Sequence, residues 1–556
     1  MHSIGQRALG ALLLTSLAAC GSGNGGTPGA GAFDGALTFD PAKYTTINVT
    51  IDGAQVPVRW YKEVCYVAKP VAASATQATL MGTSTTIANT QCGYQSMNIF
   101  VPESSSASQD TALYFAVNNG GWFASYIKAS VTDGASYDSA TSNVAAALKA
   151  GYVYIDVATR SRGMTAADGS WAGKAPAPVV DAKAAIRYLR LNDVLMPGSA
   201  NRIVVNGTSG GGGLSSVIGA SGNSADYLPY LAAIGAAGID ANGRSTLRDD
   251  VLAINAYCPI TDLGNADLAY EWLYTTLGTR AAVGRNPNPT GSAQLAAKFP
   301  AYQAGLRLSN GSGAALTAEN MLAQIRQEVI HSAEVYMAGG GTIPNLGENM
   351  TFTAGGMGGP ATTVTYVNDW LTVDNAARKV VSIDMTKYLK FVATQATLKA
   401  APAFDQTGLT VTASSGESNL FGTSAQKYSN FTEYGWDNND VHGDGIGYDD
   451  TGITASRYFS LATTPVLNQV RLINPMAYIG TGTDTAPYWY VRHGTRDRDT
   501  AFTVSINLTR ALQADPKVQE VNYRLAWNQP HAGNYDVPEA MAWIAATLKA
   551  AAARGL

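Results

Sequence analysis

The chain has 556 residues, 46% of them hydrophobic and 14% charged, with a formal net charge of −4. That apolar content supports a large buried core and more than one structural unit, and the lack of a basic run argues against a nucleic-acid partner. The 58 glycines suit long, turn-rich loops and not a coiled or disordered chain.

At the N-terminus, Arg7 precedes a short apolar stretch, Ala8 to Leu17. It is too short to span a bilayer and reads as a removable export signal over 1–20. Leu17-Ala18-Ala19-Cys20 resembles a bacterial lipobox. Cleavage before Cys20 and lipid attachment to its thiol are expected in preference to ordinary signal cleavage. Gly21 stands where an Asp would resemble an inner-membrane retention signal. The expected location is therefore the cell envelope, in the periplasm or outer membrane with the outer membrane preferred, and a lipid anchor on Cys20 makes the membrane a partner. Residues 21–35 form a Gly-rich tether.

From residue 36 the pattern becomes that of a folded domain. Thr46 to Val64 alternates apolar and polar residues about Asp52-Gly53, a hairpin signal. Ala112–Val117, Gly151–Val157 and Ile203–Val205 are apolar strand candidates, and Asp181–Leu191 has helical spacing. Strands alternating with helices imply an α/β fold, a doubly wound, mostly parallel sheet. The rhythm breaks between 261 and 465, where Gly- and Thr-rich segments mix with helical patterns, so this stretch is expected to be a large inserted lid. The sheet pattern resumes at Pro487–Val491 and closes with a helix over Glu539–Ala552. The core thus falls into two parts, 36–260 and 466–556.

In an oxidising compartment Cys65 and Cys92 could pair. Cys258 follows the apolar run Val251–Tyr257 and reads as a buried core thiol. No Cys/His spacing suggests zinc, and the polar run Asp437–Gly445 does not match a calcium-binding loop. No metal or cofactor is expected.

Gly207-Thr208-Ser209-Gly210-Gly211 is a weak motif in a glycine-rich chain, but its context strengthens it. It follows the strand Ile203–Val205 and precedes a helix-compatible run, Leu214–Ala220, the setting of a nucleophile elbow in an α/β-hydrolase. Ser209 is the expected nucleophile and the Gly210 N–H an oxyanion donor. The loop Asn118-Asn119-Gly120-Gly121-Trp122 follows an earlier strand and offers the second donor from Gly120 or Gly121.

In this fold the acid and then the base follow the serine in the chain. His531 lies in a Pro/Gly loop just before the terminal helix, the expected place for the base. His331 sits in a helical pattern, His442 in a polar loop of the insert, and His493 at a strand end is the competitor. The strand Tyr488–Val491 is followed by Arg496-Asp497-Arg498-Asp499, and spacing leaves the acid open between Asp497 and Asp499.

Taken together, Gly207–Gly211, Tyr257-Cys258-Pro259-Ile260-Thr261-Asp262, Tyr270-Glu271-Trp272, Arg492-His493-Gly494 with Asp497-Arg498-Asp499-Thr500, and Trp527-Asn528-Gln529-Pro530-His531 resemble the bacterial tannases, tannin acyl hydrolases that cleave galloyl esters. The resemblance runs from about residue 45 to the C-terminus. It implies that Asp497 is the triad acid and that Asp499, Lys399 and Glu417 bind the phenolic hydroxyls of gallate. The implied function is a serine esterase releasing gallate from small phenolic esters. The alternatives are a related aromatic-acid esterase, such as a feruloyl esterase, and a non-catalytic lipid-anchored binding protein on the same fold.

Overall fold

The computed structural model describes residues 30–284, 286–354, 362–406, 408, 416–439, 454–461 and 464–555. Its centre is a ten-stranded sheet. In chain order the strands are β1 (Thr45–Ile51), β2 (Ala54–Cys65), β3 (Ser96–Pro102), β4 (Leu113–Val117), β5 (Ser136–Tyr137), β6 (Val153–Val157), β7 (Ile203–Thr208), β8 (Ala253–Tyr257), β9 (Tyr488–Gly494) and β10 (Glu520–Ala526). Across the sheet they lie β10-β9-β8-β7-β4-β6-β3-β2-β1-β5. From β10 to β6 all neighbours are parallel, whereas β6, β3, β2 and β1 pair antiparallel. β1 and β2 form the expected hairpin, turning at Asp52 (φ 50°) and Gly53 (φ 83°). Two left-handed residues match the twist of the paired strands.

The parallel strands β4, β6, β8 and β9 are buried along their whole length. Helices on both faces explain this, and also why these strands read as unbroken apolar runs. The helices that matter here are α1 (Asn143–Lys149), α2 (Ala177–Leu191), α3 (Gly210–Ala220), α4 (Leu263–Thr275), α5 (Pro289–Gly305), α6 (Ala318–Ala338), α7 (Met385–Thr394), α8 (Phe502–Ala514) and α9 (Val537–Ala552). α1 and α9 pack on one face with Val204, Tyr257 and Tyr490. α2, α3 and α8 pack on the other with Val205, Ile254 and Val491. α2 is buried deeply enough to enclose charges. Lys183 Nζ lies 2.7 Å from Asp249 Oδ1 and Arg187 lies 3.0 Å from Asp249 Oδ2, so one buried carboxylate faces two cations.

Elements from α4 to the helix Val466–Leu472 stand outside the sheet. They include α4–α7 and two hairpins, Asn349–Ala354 with Thr362–Val367 and Leu371–Asp374 with Lys379–Ile383. This insert grips the core beyond β9. The Tyr388 hydroxyl donates to Thr495 O at 2.7 Å, and Arg496 donates to Gln395 Oε1 at 2.9 Å.

Cys65 and Cys92 form a disulfide. Cys258 is buried and free, and its thiol reaches the loop of His531 and not a remote part of the core. Cys20, the tether residues 21–29 and His442 lie outside the described residues, as does the run from Asp440 to Gly445. No helix among the described residues is long and apolar enough to cross a membrane.

Candidate active site

Ser209 stands between the end of β7 and the start of α3, with φ 62° and ψ −123°. A serine held there costs on the order of 1–3 kcal/mol of backbone strain and lifts its side chain clear of the strand. Neighbouring glycines make the turn possible. A Cβ on Gly210 would fall 2.0 Å from Trp122 N, and one on Gly213 would fall 2.2 Å from Ile260 O. α3 therefore begins at Gly210 despite four successive glycines, because nothing larger fits against the 119–122 loop and the 257–260 segment. The same close approach sets Gly210 against the loop of residues 119–122.

His531 and Asp497, the candidate base and acid, arrive on two interlaced loops. Arg496 N–H donates to Gln529 O at 3.0 Å, Arg496 Nε to Asn528 O at 2.8 Å, and Asn528 N–H to Thr495 Oγ1 at 2.8 Å. Held this way, His531 Nε2 lies 2.8 Å from Ser209 Oγ and His531 Nδ1 lies 2.7 Å from Asp497 Oδ2. Asp497 is fully buried. Burial pushes its carboxyl up, but His531 and His493 facing it more than reverse this and hold it well below the usual carboxylate range. Burial pushes the His531 imidazole down, yet Asp497 outweighs it and raises the ring well above its ordinary value.

His493, the competing base, does not reach the serine in this arrangement. Its ring is buried, with Nδ1 2.8 Å from Ser505 Oγ and Nε2 3.2 Å from Asp497 Oδ2. Asp499 is turned away from His531. Its N–H donates to Asp497 Oδ1 at 2.8 Å and its carboxylate pairs with Arg498 at 2.7 Å. His331 lies in α6.

Lys399 is half-buried, and its backbone is clamped on both sides. Its N–H donates to the Tyr270 hydroxyl at 3.2 Å and its carbonyl accepts from Arg280 at 2.9 Å. Arg280 is itself paired with the buried Glu271, which also accepts from Ser292. The Lys399 ammonium lies 3.9 Å from the centroid of the Phe404 ring. Tyr270 lies within the electrostatic reach of Asp499 as well. Glu417 opens a short turn, Glu417–Leu420, and faces Arg162, whose Nε donates to Gly121 O. A Cβ on Gly416 would fall 1.5 Å from Arg162 Nη1, so the Arg162 guanidinium lies directly against the Gly416 backbone. Lys399 and Asp499 thus border Tyr270, while Glu417 is linked through Arg162 to the loop of Gly120 and Gly121.

Sequence reasoning did not single out Arg162, Arg280 or the site contact of Cys258. The Cys258 thiol donates to Ala532 O at 3.2 Å, in the His531 loop, and burial followed by the Asp497 charge pushes its pKa up. Donor atoms of Cys258, Asp497 and His531 lie within 4.8 Å of one another, a set suited to a soft cation. Each residue already serves another bond here, so such an ion would compete with the Ser209–His531 contact.

Fold and site together define an α/β-hydrolase. Residues 97–271 match the BD-FAE family model, and comparison with curated protein sequences gives no match. Among solved structures, the Fusobacterium nucleatum tannase is 30% identical over 92% of this chain and 99% of its own, with a TM-score of 0.70. A tannin acyl hydrolase from Lactobacillus plantarum is 28% identical over 93% and 100%, also at TM-score 0.70. A tannin acyl hydrolase in complex with ethyl gallate matches at 28% over 93% and 99%, TM-score 0.69. The chain belongs to the bacterial tannase family and is a carboxylic ester hydrolase.

Proposed function

We propose that the chain hydrolyses galloyl and closely related phenolic esters through an acyl-enzyme on Ser209. The observation that carries this reading is the unbroken line from Ser209 Oγ through the His531 ring to Asp497 Oδ2, at 2.8 and 2.7 Å. His531 Nε2 takes the serine proton as Oγ attacks the ester carbonyl, and Asp497 fixes the tautomer and balances the imidazolium. The Gly210 N–H and the Gly120–Gly121 loop bind the oxyanion. His531 then returns the proton to the leaving alkoxide, and water repeats the cycle to free the acid.

Family resemblance assigns Lys399, Glu417 and Asp499 to the phenolic hydroxyls, and charged groups of both signs suit that task. Carboxylates accept from phenol O–H groups while the ammonium donates to their oxygens. A site so built rejects analogues lacking hydroxyls, because its polar groups are left unpaired. Proposed lipidation at Cys20 would hold the enzyme in the cell envelope, and a Cys20→Ala variant is then released in unlipidated form.

The decisive assay compares methyl gallate, methyl ferulate and a short-chain nitrophenyl ester. Wild type should favour methyl gallate, Ser209→Ala should abolish turnover of all three, and Lys399→Ala should erase the gallate preference selectively. A wild-type preference for methyl ferulate would replace the galloyl reading by the feruloyl one. Turnover by Ser209→Ala would remove the nucleophile assignment.

A further inference from the structure

β4 and β6 are parallel neighbours, so the chain leaves their C-terminal ends side by side. One end leads into the loop of residues 118–122 and the other into a strap of residues 159–163. The strap braces the loop at successive points. Asn119 Nδ2 donates to Thr159 Oγ1 at 2.8 Å, Ser161 Oγ donates to Trp122 O, and Ala124 N–H donates to Arg162 O at 2.9 Å. Arg160 anchors the strap to α2 through the buried Asp181, at 2.8 Å.

On its other side the strap meets the turn Glu417–Leu420. Gly163 N–H donates to Asn419 Oδ1 at 2.6 Å, and Lys174 Nζ donates to Asn419 O at 2.8 Å. Ala175 N–H donates to Leu420 O at 2.7 Å. Glu417 is therefore docked on the core, whereas Lys399 is held from within the insert by Tyr270 and Arg280.

Arg162 stands where these two contacts meet. Its Nε donates to Gly121 O, and its Nη1 lies against the Gly416 backbone, next to Glu417. Gly121 has φ 57° and no Cβ, so its peptide turns over at little cost unless a bond selects one orientation. The arginine bond makes that selection. Burial works against the Arg162 charge, and the Glu417 carboxylate offsets part of that cost. The guanidinium is planar and rigid, so a shift of the Glu417 turn presses on it and reaches Gly121. We infer that Arg162 is a positioning residue that couples recognition of the phenolic ring at Glu417 to the oxyanion loop at Gly121. This rests on the galloyl-esterase reading for the roles of Glu417 and the loop.

The test measures kcat and KM on methyl gallate and on nitrophenyl acetate, which carries no phenolic hydroxyl. It uses wild type, Arg162→Met, Glu417→Gln and the double variant, with active sites counted by a fluorophosphonate. In Arg162→Met, kcat for nitrophenyl acetate should fall about tenfold, as for one lost charge-assisted hydrogen bond. The kcat/KM ratio of methyl gallate over nitrophenyl acetate should fall about tenfold as well. On the Glu417→Gln background, Arg162→Met should leave that ratio within about twofold, because the effect passes through the carboxylate. An undiminished ratio in Arg162→Met, or the same fall with Glu417 already replaced, overturns the coupling. Arg162→Lys keeps the charge without the Nε donor, and serves also if the methionine variant does not fold. It should lower kcat on both esters and hold the ratio within about threefold, and a wild-type kcat would overturn the hold on Gly121. No turnover of methyl gallate by wild type would reject the galloyl reading, and the hold on Gly121 would then stand or fall on kcat for nitrophenyl acetate.

Discussion

His493 Nε2 lies 3.2 Å from Asp497 Oδ2, the same oxygen that meets His531 Nδ1 at 2.7 Å. One buried carboxylate oxygen therefore faces two imidazoles, while the other accepts the Asp499 N–H at 2.8 Å. Ser505 fixes the far side of the His493 ring at 2.8 Å. Around metal ligands the loss of such supporting partners typically costs about 10- to 100-fold in function, and a comparable loss is expected where the partner holds a working carboxylate. His493→Leu should lower kcat by about that much with KM changed less than about twofold. Steady-state kinetics on methyl gallate check this, and an unchanged kcat would reduce His493 to a core residue.

The raised His531 pKa sets the acid limb of the pH profile. A general base must be neutral, so kcat/KM is lost as pH falls through the pKa of His531, and Asp497 places that value above the ordinary ~6.5. Asp497→Asn removes the charge and favours the wrong tautomer. The midpoint should then move down and kcat should fall by about 10⁴-fold, as for the same swap in serine-protease triads. A pH–rate series on both proteins measures this, and a midpoint below 6 in wild type would contradict the raised imidazole.

Arg280 clamps the Lys399 carbonyl and also neutralises a buried acid, Arg280 and Glu271 both being at most 2% exposed. Arg280→Met strands the Glu271 carboxylate and should cost about 3–5 kcal/mol in unfolding free energy. Loss of the clamp should also raise KM for methyl gallate more than for nitrophenyl acetate. Denaturant titration and the two assays read these effects. Equal KM changes would show that the pair supports the fold alone.

The Cys65–Cys92 disulfide closes a loop with a sequence separation of 27. By loop-closure entropy it contributes about 3.5 kcal/mol against the unfolded chain. A Cys65→Ala/Cys92→Ala variant should unfold at a lower denaturant midpoint while keeping its kcat, because neither residue contacts the Ser209–His531–Asp497 line. A midpoint unchanged from wild type would refute the stabilisation.

Much of the site was legible because it is written in local chain chemistry. A glycine-flanked serine after an apolar strand, and a histidine in a Pro/Gly loop before the last helix, mark the elbow and the base by short-range rules. The parallel strands were legible for the same reason, since burial on both faces demands continuous apolar runs. β10 was not, because Glu520–Ala526 is an edge strand whose Asn522 and Arg524 serve Arg492 and Glu539 and break that pattern. Spacing alone also left Asp497 and Asp499 equivalent, two residues apart on one loop. Only the folded chain separates them, by burying Asp497 between two imidazoles and turning Asp499 to Arg498.

The sequence by itself determined the order of elements, the elbow and the candidate base, since each follows from neighbours within a few residues. Tertiary structure decided which acid faces His531, what holds Lys399 and Glu417 in place, and that one arginine stands between Glu417 and Gly121. Those relations join residues such as Gly121 and Arg162, Lys399 and Arg280, or Gly163 and Asn419, which lie 41, 119 and 256 positions apart. Contacts over such separations depend on how the sheet and lid pack, and no local propensity encodes them.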